Sequence, residues 1–102
     1  MKDYMEDLKK RTLLEILYIN EQGLELKHFR YLLLKNNQLK RKYQLKREWK
    51  INSYDLFIKR PEKIDDTLFN TPSNISNHLS ELDKIGYIYK KGLLTSLFNY
   101  GY

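Results

Sequence analysis

The chain has 102 residues and a formal net charge of +6, with 41% hydrophobic and 31% charged residues. That length supports one hydrophobic core rather than two, and the apolar-to-charged balance is that of a folded domain. With no cysteine, a disulfide framework and a thiolate metal site are excluded. No apolar run is long enough to cross a bilayer.

Taken in chain order, the acids Asp3, Glu6 and Asp7 stand where a signal peptide carries basic and then apolar residues, so an intracellular protein is expected. Residues 2–20 read as a helix, with Leu8, Leu13, Ile16 and Leu17 near helical spacing and Gly23 as its terminator. A second apolar helix follows over 26–34, carrying Phe29, Leu32 and Leu33. Asn36 and Asn37 form a turn, and a third helix is expected over 38–49 with Leu39, Tyr43, Leu45 and Trp49 on one broad side. Residues 51–58 are strand-like. Pro61 opens a fourth helix ending near Phe69, with Glu62, Asp65 and Asp66 placed to complement its dipole. Thr71, Pro72, Ser73 and Asn74 form a turn that caps a fifth helix running from Ser73 or Asn74 to Lys84, its inward stripe being Ile75, Leu79 and Leu82. Beyond Gly86, the order is strand (Tyr87, Ile88, Tyr89), tight turn (Lys90, Lys91, Gly92) and strand from Leu93. The aromatic tail after Leu97 packs on the core or meets a partner. The fold class expected is mainly α with a small β-hairpin, in one domain over 1–102: a basic helical half over 2–50, and a helix-turn-helix plus wing over 61–100.

The charge is unevenly spread. Residues 1–51 hold thirteen Lys and Arg against seven Asp and Glu, whereas residues 52–102 hold six of each. The excess gathers at Lys40, Arg41, Lys42, Lys46 and Arg47, a patch suited to a polyanion such as DNA. Its structural alternative is a solvated helix face.

The stretch from Ile64 to Gly92 resembles the winged helix-turn-helix regulators of bacteria and archaea, and in size and composition the chain looks like the small winged-helix and orphan proteins of crenarchaeal viruses. The residues that carry this are Ile64 and Leu68, the Thr71 to Leu79 run, Leu82, Gly86, Tyr87 to Tyr89, and the Lys90, Lys91, Gly92 turn. The resemblance implies a short helix and a capped turn that present a second helix to the major groove, with a hairpin wing behind it. It implies a regulator of transcription that binds double-stranded DNA, as a homodimer because one short helix reads few bases, within the host cell if the source is viral. The DNA contacts expected are Thr71, Ser73, Asn74, Ser76, Asn77 and His78 on the turn and helix, Lys90 and Lys91 on the wing, and Lys40, Arg41, Lys42, Lys46 and Arg47 from the basic half. Two features depart from the pattern. The reading helix contains Glu81 and Asp83 without an arginine, and Phe69 stands where the family often has glycine.

An internal repeat is the alternative organisation. Residues 29–49 read as a degenerate first helix-turn-helix. Separately, Ile16, Tyr18, Ile19, Gly23, Leu24, Phe29 and Tyr31 recur as Ile85, Tyr87, Ile88, Gly92, Leu93, Phe98 and Tyr100. Two similar motifs with a groove between them suit a peptide or a partner helix, which makes a protein–protein interaction module the rival function. No enzyme, cofactor or metal is expected. The two histidines, His28 and His78, have no metal-motif spacing, Ser76 and His78 are too close along a helix to face each other, and the four glycines are scattered singly.

If the basic cluster supplies phosphate contacts, replacing Lys40, Arg41 and Lys42 by glutamine weakens duplex binding uniformly across sequences and lowers the salt slope by about 3. Fluorescence anisotropy at several salt concentrations measures both.

Overall fold

A computed structural model of the chain describes residues 4–34, 58–65 and 67–98. Helix α1, Tyr4–Ile19, buries Leu13, Ile16 and Leu17 at helical spacing. It ends where Asn20 turns its side chain back, Nδ2 donating to the Ile16 carbonyl at 2.8 Å. The same buried amide donates to the Lys59 carbonyl and accepts from the Lys59 N–H, both at 2.8 Å. A single residue thus closes one helix and pins a distant backbone segment to it, leaving few of its own polar atoms unsatisfied.

Gly23, at φ +89°, then swings the chain into a strand too short for sequence reading to find, β1 at Leu24–Glu25. It passes directly into α2, Leu26–Leu33, which buries Phe29, Leu32 and Leu33. The Glu25 N–H donates to His28 Nδ1 at 3.0 Å, so this histidine is a buried structural group at the helix start. Helix α3, Pro72–Lys84, has the N-terminus expected from its sequence. Thr71 Oγ1 accepts the Asn74 N–H at 3.2 Å, and Pro72 occupies the first turn. Its C-terminus is a Schellman motif: the Tyr87 N–H donates to the Leu82 carbonyl at 3.0 Å and the Gly86 N–H to that of Asp83 at 3.1 Å, with Gly86 at φ +87°.

The hairpin comprises β2, Ile88–Lys91, and β3, Leu94–Leu97; β1 pairs antiparallel with β3 in register Leu24↔Thr95, giving the sheet order β1-β3-β2. The result is a small α+β fold, with three helices and a three-stranded antiparallel sheet among the described residues. Its core joins the buried stripes of all three helices to Leu24, Leu68, Phe69 and Ile88. Each leucine, isoleucine or phenylalanine sunk here contributes about 1.5–3 kcal/mol. No helix among the described residues is long and apolar enough to cross a membrane.

Three expectations change. The described residues of 61–69 form no helix. The Asp65 carboxylate, expected to face a helix dipole, instead accepts from the Thr67 N–H at 2.9 Å and hydroxyl at 2.5 Å, a local turn that competes with helix. Leu68 and Phe69 are both buried in the core without being helical. The helices packed against α3 are therefore α1 and α2, and not a segment just before the Thr71 cap. Lys90 and Lys91 belong to β2, and the hairpin tip is Gly92 and Leu93. The repeat at fixed offset pairs unlike structures, since Ile16, Tyr18 and Ile19 are helical while Ile85, Tyr87 and Ile88 lie in a turn and a strand. The expected helix over 38–49, the strand residues 51–57 and the first-half motif built on them lie outside the described residues.

Gly23 has two constraints and Gly92 one. Both have positive φ, but a Cβ on Gly23 would stand 2.5 Å from Ser96 Oγ and 2.9 Å from the Thr95 carbonyl oxygen, whereas Gly92 has open space around it. Gly92→Ala is expected to cost about 1 kcal/mol, and Gly23→Ala clearly more. Urea unfolding of the two variants checks the order.

Candidate nucleic-acid interface

Helix α3 sinks Ile75, Leu79 and Leu82 to 2% exposure or less, which turns the opposite side of the helix outward. At 100° per residue, Ser73, Asn77, Ser80 and Lys84 fall on one line along that outer side, and all four are exposed. The stripe is polar, free of acids and ends on a cation, which also complements the helix C-terminus.

The expected contact residues divide. Ser73 and Asn77 are exposed on the stripe, and Lys90 and Lys91 are exposed on β2. Thr71, Asn74 and Ser76 are half-buried and engaged with the helix itself. Thr71 is the cap, Asn74 gives it an N–H, and the Ser76 hydroxyl donates back to the carbonyls of Ser73 at 3.2 Å and Pro72 at 3.4 Å. His78 is a correction. It is 5% exposed and faces α1, not solvent. Its Nδ1 donates to the Asn74 carbonyl at 2.6 Å, its Nε2 contacts the Glu6 carboxylate, and its ring meets Phe69 edge-on at 6.0 Å. Lys40, Arg41, Lys42, Lys46 and Arg47 lie outside the described residues. Sequence reasoning stopped at the first turns of the helix and so omitted Ser80 and Lys84, although the spacing from Asn77 already implied them.

Glu81, which as sequence counted against a reading helix, lies off the outer line and pairs with Lys10 of α1 at 2.7 Å. Glu6, His78 and Glu81 bring their ligand atoms within 4.8 Å of one another. Each carboxylate already has an ammonium beside it, Lys9 at 3.6 Å from Glu6 and Lys10 on Glu81, so the group is a polar latch between α1 and α3. The hydrogen bond from His78 holds the Glu6 carboxyl below the usual carboxylate range, and that from Lys10 does the same for Glu81.

On the far side of α1, Leu14 and Tyr18 meet Tyr87, Leu97 and Phe98 of the hairpin around an open groove of about 400 Å³. The groove lies between a helix and a hairpin, and not between two similar motifs. No protein-family model matches the chain, and comparison with curated proteins and with solved structures found no match.

A carboxylate whose folded pKa is depressed stabilises the fold above its unfolded pKa and loses that contribution as pH falls through the folded one. The thermal midpoint of the wild type is therefore expected to fall more steeply than that of Glu6→Gln as pH drops below about 4.3. Circular dichroism across that range tests this, and parallel curves would contradict it.

Proposed function

We propose that the chain is a DNA-binding protein of the winged-helix type, a regulator that lays α3 in the major groove with the β2–β3 hairpin as its wing. The observation that carries this is the outer stripe of α3. Asn77 and Ser80 turn hydrogen-bonding side chains outward there, Ser73 shares its hydroxyl with Thr71 at 3.1 Å, and the stripe itself carries no acid. The element order among the described residues supports the same reading: α2, then a capped α3, then a hairpin whose Lys90 and Lys91 are exposed. The acids that weighed against it are accounted for in part, since Lys10 neutralises Glu81.

Roles on this reading follow from chemistry. Asn77 reads a base edge, with Ser73 and Ser80 beside it on the groove floor or its phosphates. Lys84, Lys90 and Lys91 hold phosphates and set the register without reading sequence. The partner is double-stranded DNA, and neither cofactor nor metal enters the reading.

The variants separate these roles. Asn77→Ala is expected to lose discrimination between the preferred site and a scrambled duplex by about 1–3 kcal/mol. Lys84→Ala is expected to weaken both duplexes alike and reduce the salt slope by about 1. Anisotropy titrations with a selected site and a scrambled control measure the two effects. Absence of binding to any duplex at low salt would overturn the proposal.

A further inference from the structure

The α1–hairpin groove has no part in reading DNA through α3, yet it brings three exposed aromatic side chains together. Tyr18 is 73% exposed, and Tyr87 and Phe98 are each 48% exposed. The hairpin side of the groove is joined by a backbone bond and a ring contact. The Phe98 N–H donates to the Tyr87 carbonyl at 2.9 Å, and Tyr89 meets the Phe98 ring edge-on at 6.3 Å. Aromatic side chains around a concave apolar surface offer large buried area to a protein partner for few rotatable bonds.

The polar residues beside the groove say which partner. Arg11 and Glu15 both line it, one helical turn apart on the outer side of α1, in line with Tyr18. Opposite charges at that separation are self-complementary under a two-fold axis that passes between them. When two α1 helices cross antiparallel, Arg11 of each copy meets Glu15 of the other, and Tyr18 extends along the first turns of the partner helix. A two-fold contact of this kind uses the same patch twice and closes on itself. A foreign peptide would have to bring its own matching pair.

We infer that the outer face of α1 and the adjoining groove form a self-association surface, and that the occupant is a second copy of this chain. This does not depend on the DNA reading. The patch is small, so the dimer is a weak one, with a dissociation constant of roughly micromolar order.

A charge swap tests it on the full chain by sedimentation equilibrium. Wild type is expected to associate reversibly. Arg11→Glu and Glu15→Arg each place like charges across the axis and raise the dissociation constant about tenfold or more. The double variant restores opposite charges and returns it to near the wild-type value. Both positions of the cycle are exposed, and equal thermal midpoints show that each variant is folded. A wild type that stays monomeric, single variants that leave association unchanged, or a double variant that fails to restore it would each overturn the inference.

Discussion

Burial of one side of α3 decides the rest of this structure. Ile75, Leu79 and Leu82 meet the apolar stripes of α1 and α2, and an α-helix with one face sunk has no choice about what its other face shows. Removing one of these leucines would leave a cavity worth about 2–5 kcal/mol in a domain whose total stability is of similar order. The polar stripe from Ser73 to Lys84 is therefore a consequence of packing before it is anything else. Polar groups add direction to that packing. His78 and Glu81 tie α3 to Glu6 and Lys10 of α1, so the helix is fixed in rotation as well as in position. A latch of partly exposed ion pairs adds little stability by itself. Its contribution is orientation, which the proposed reading of base edges requires.

The sheet performs the corresponding task for the hairpin. Two residues of β1 suffice to anchor β3, because Gly23 brings the backbone within contact distance of Thr95 and Ser96. Ile88 and Thr95 are buried under it, and β2 follows with Lys90 and Lys91 outward. Asn20 closes the same end of the molecule by binding Lys59 on both backbone faces. The two surfaces argued for above thus lie on different elements: the outer side of α3 on one hand, the outer side of α1 with the hairpin on the other. A dimer through the second leaves the first uncovered, and two copies of a short reading helix would lengthen the site that a single copy reads.

What could be read from the sequence was what local rules control. The four-then-three spacing of Ile75, Leu79 and Leu82, the Thr71 and Pro72 start and the Gly86 stop each belong to α3 alone, and α3 formed as expected with Pro72 added. The same holds for α1, α2 and the hairpin, within a residue or two. What was missed depends on distant partners or on competition. Nothing near Leu24 signals a strand, since its pairing is with Leu94 and Thr95. The acids after Pro61 looked like a helix start, but Asp65 found Thr67 two residues away. His78 seemed available for DNA because its neighbours are Ser76 and Asn77. Its partner Glu6 is 72 positions away, and no spacing rule reaches that far. The apolar groove was expected between repeated motifs and arose instead where Tyr18 and Phe98 meet across unlike elements.

The central claim is that α3 presents its outer stripe to duplex DNA. The most direct measurement is a ¹H–¹⁵N NMR titration of the full chain with a short duplex. The account predicts amide shift changes concentrated at Ser73, Asn77, Ser80 and Lys84, with a second cluster at Lys90 and Lys91, while Leu14 and Tyr18 stay still. Changes confined to α1 and the groove, or none at all, would contradict it.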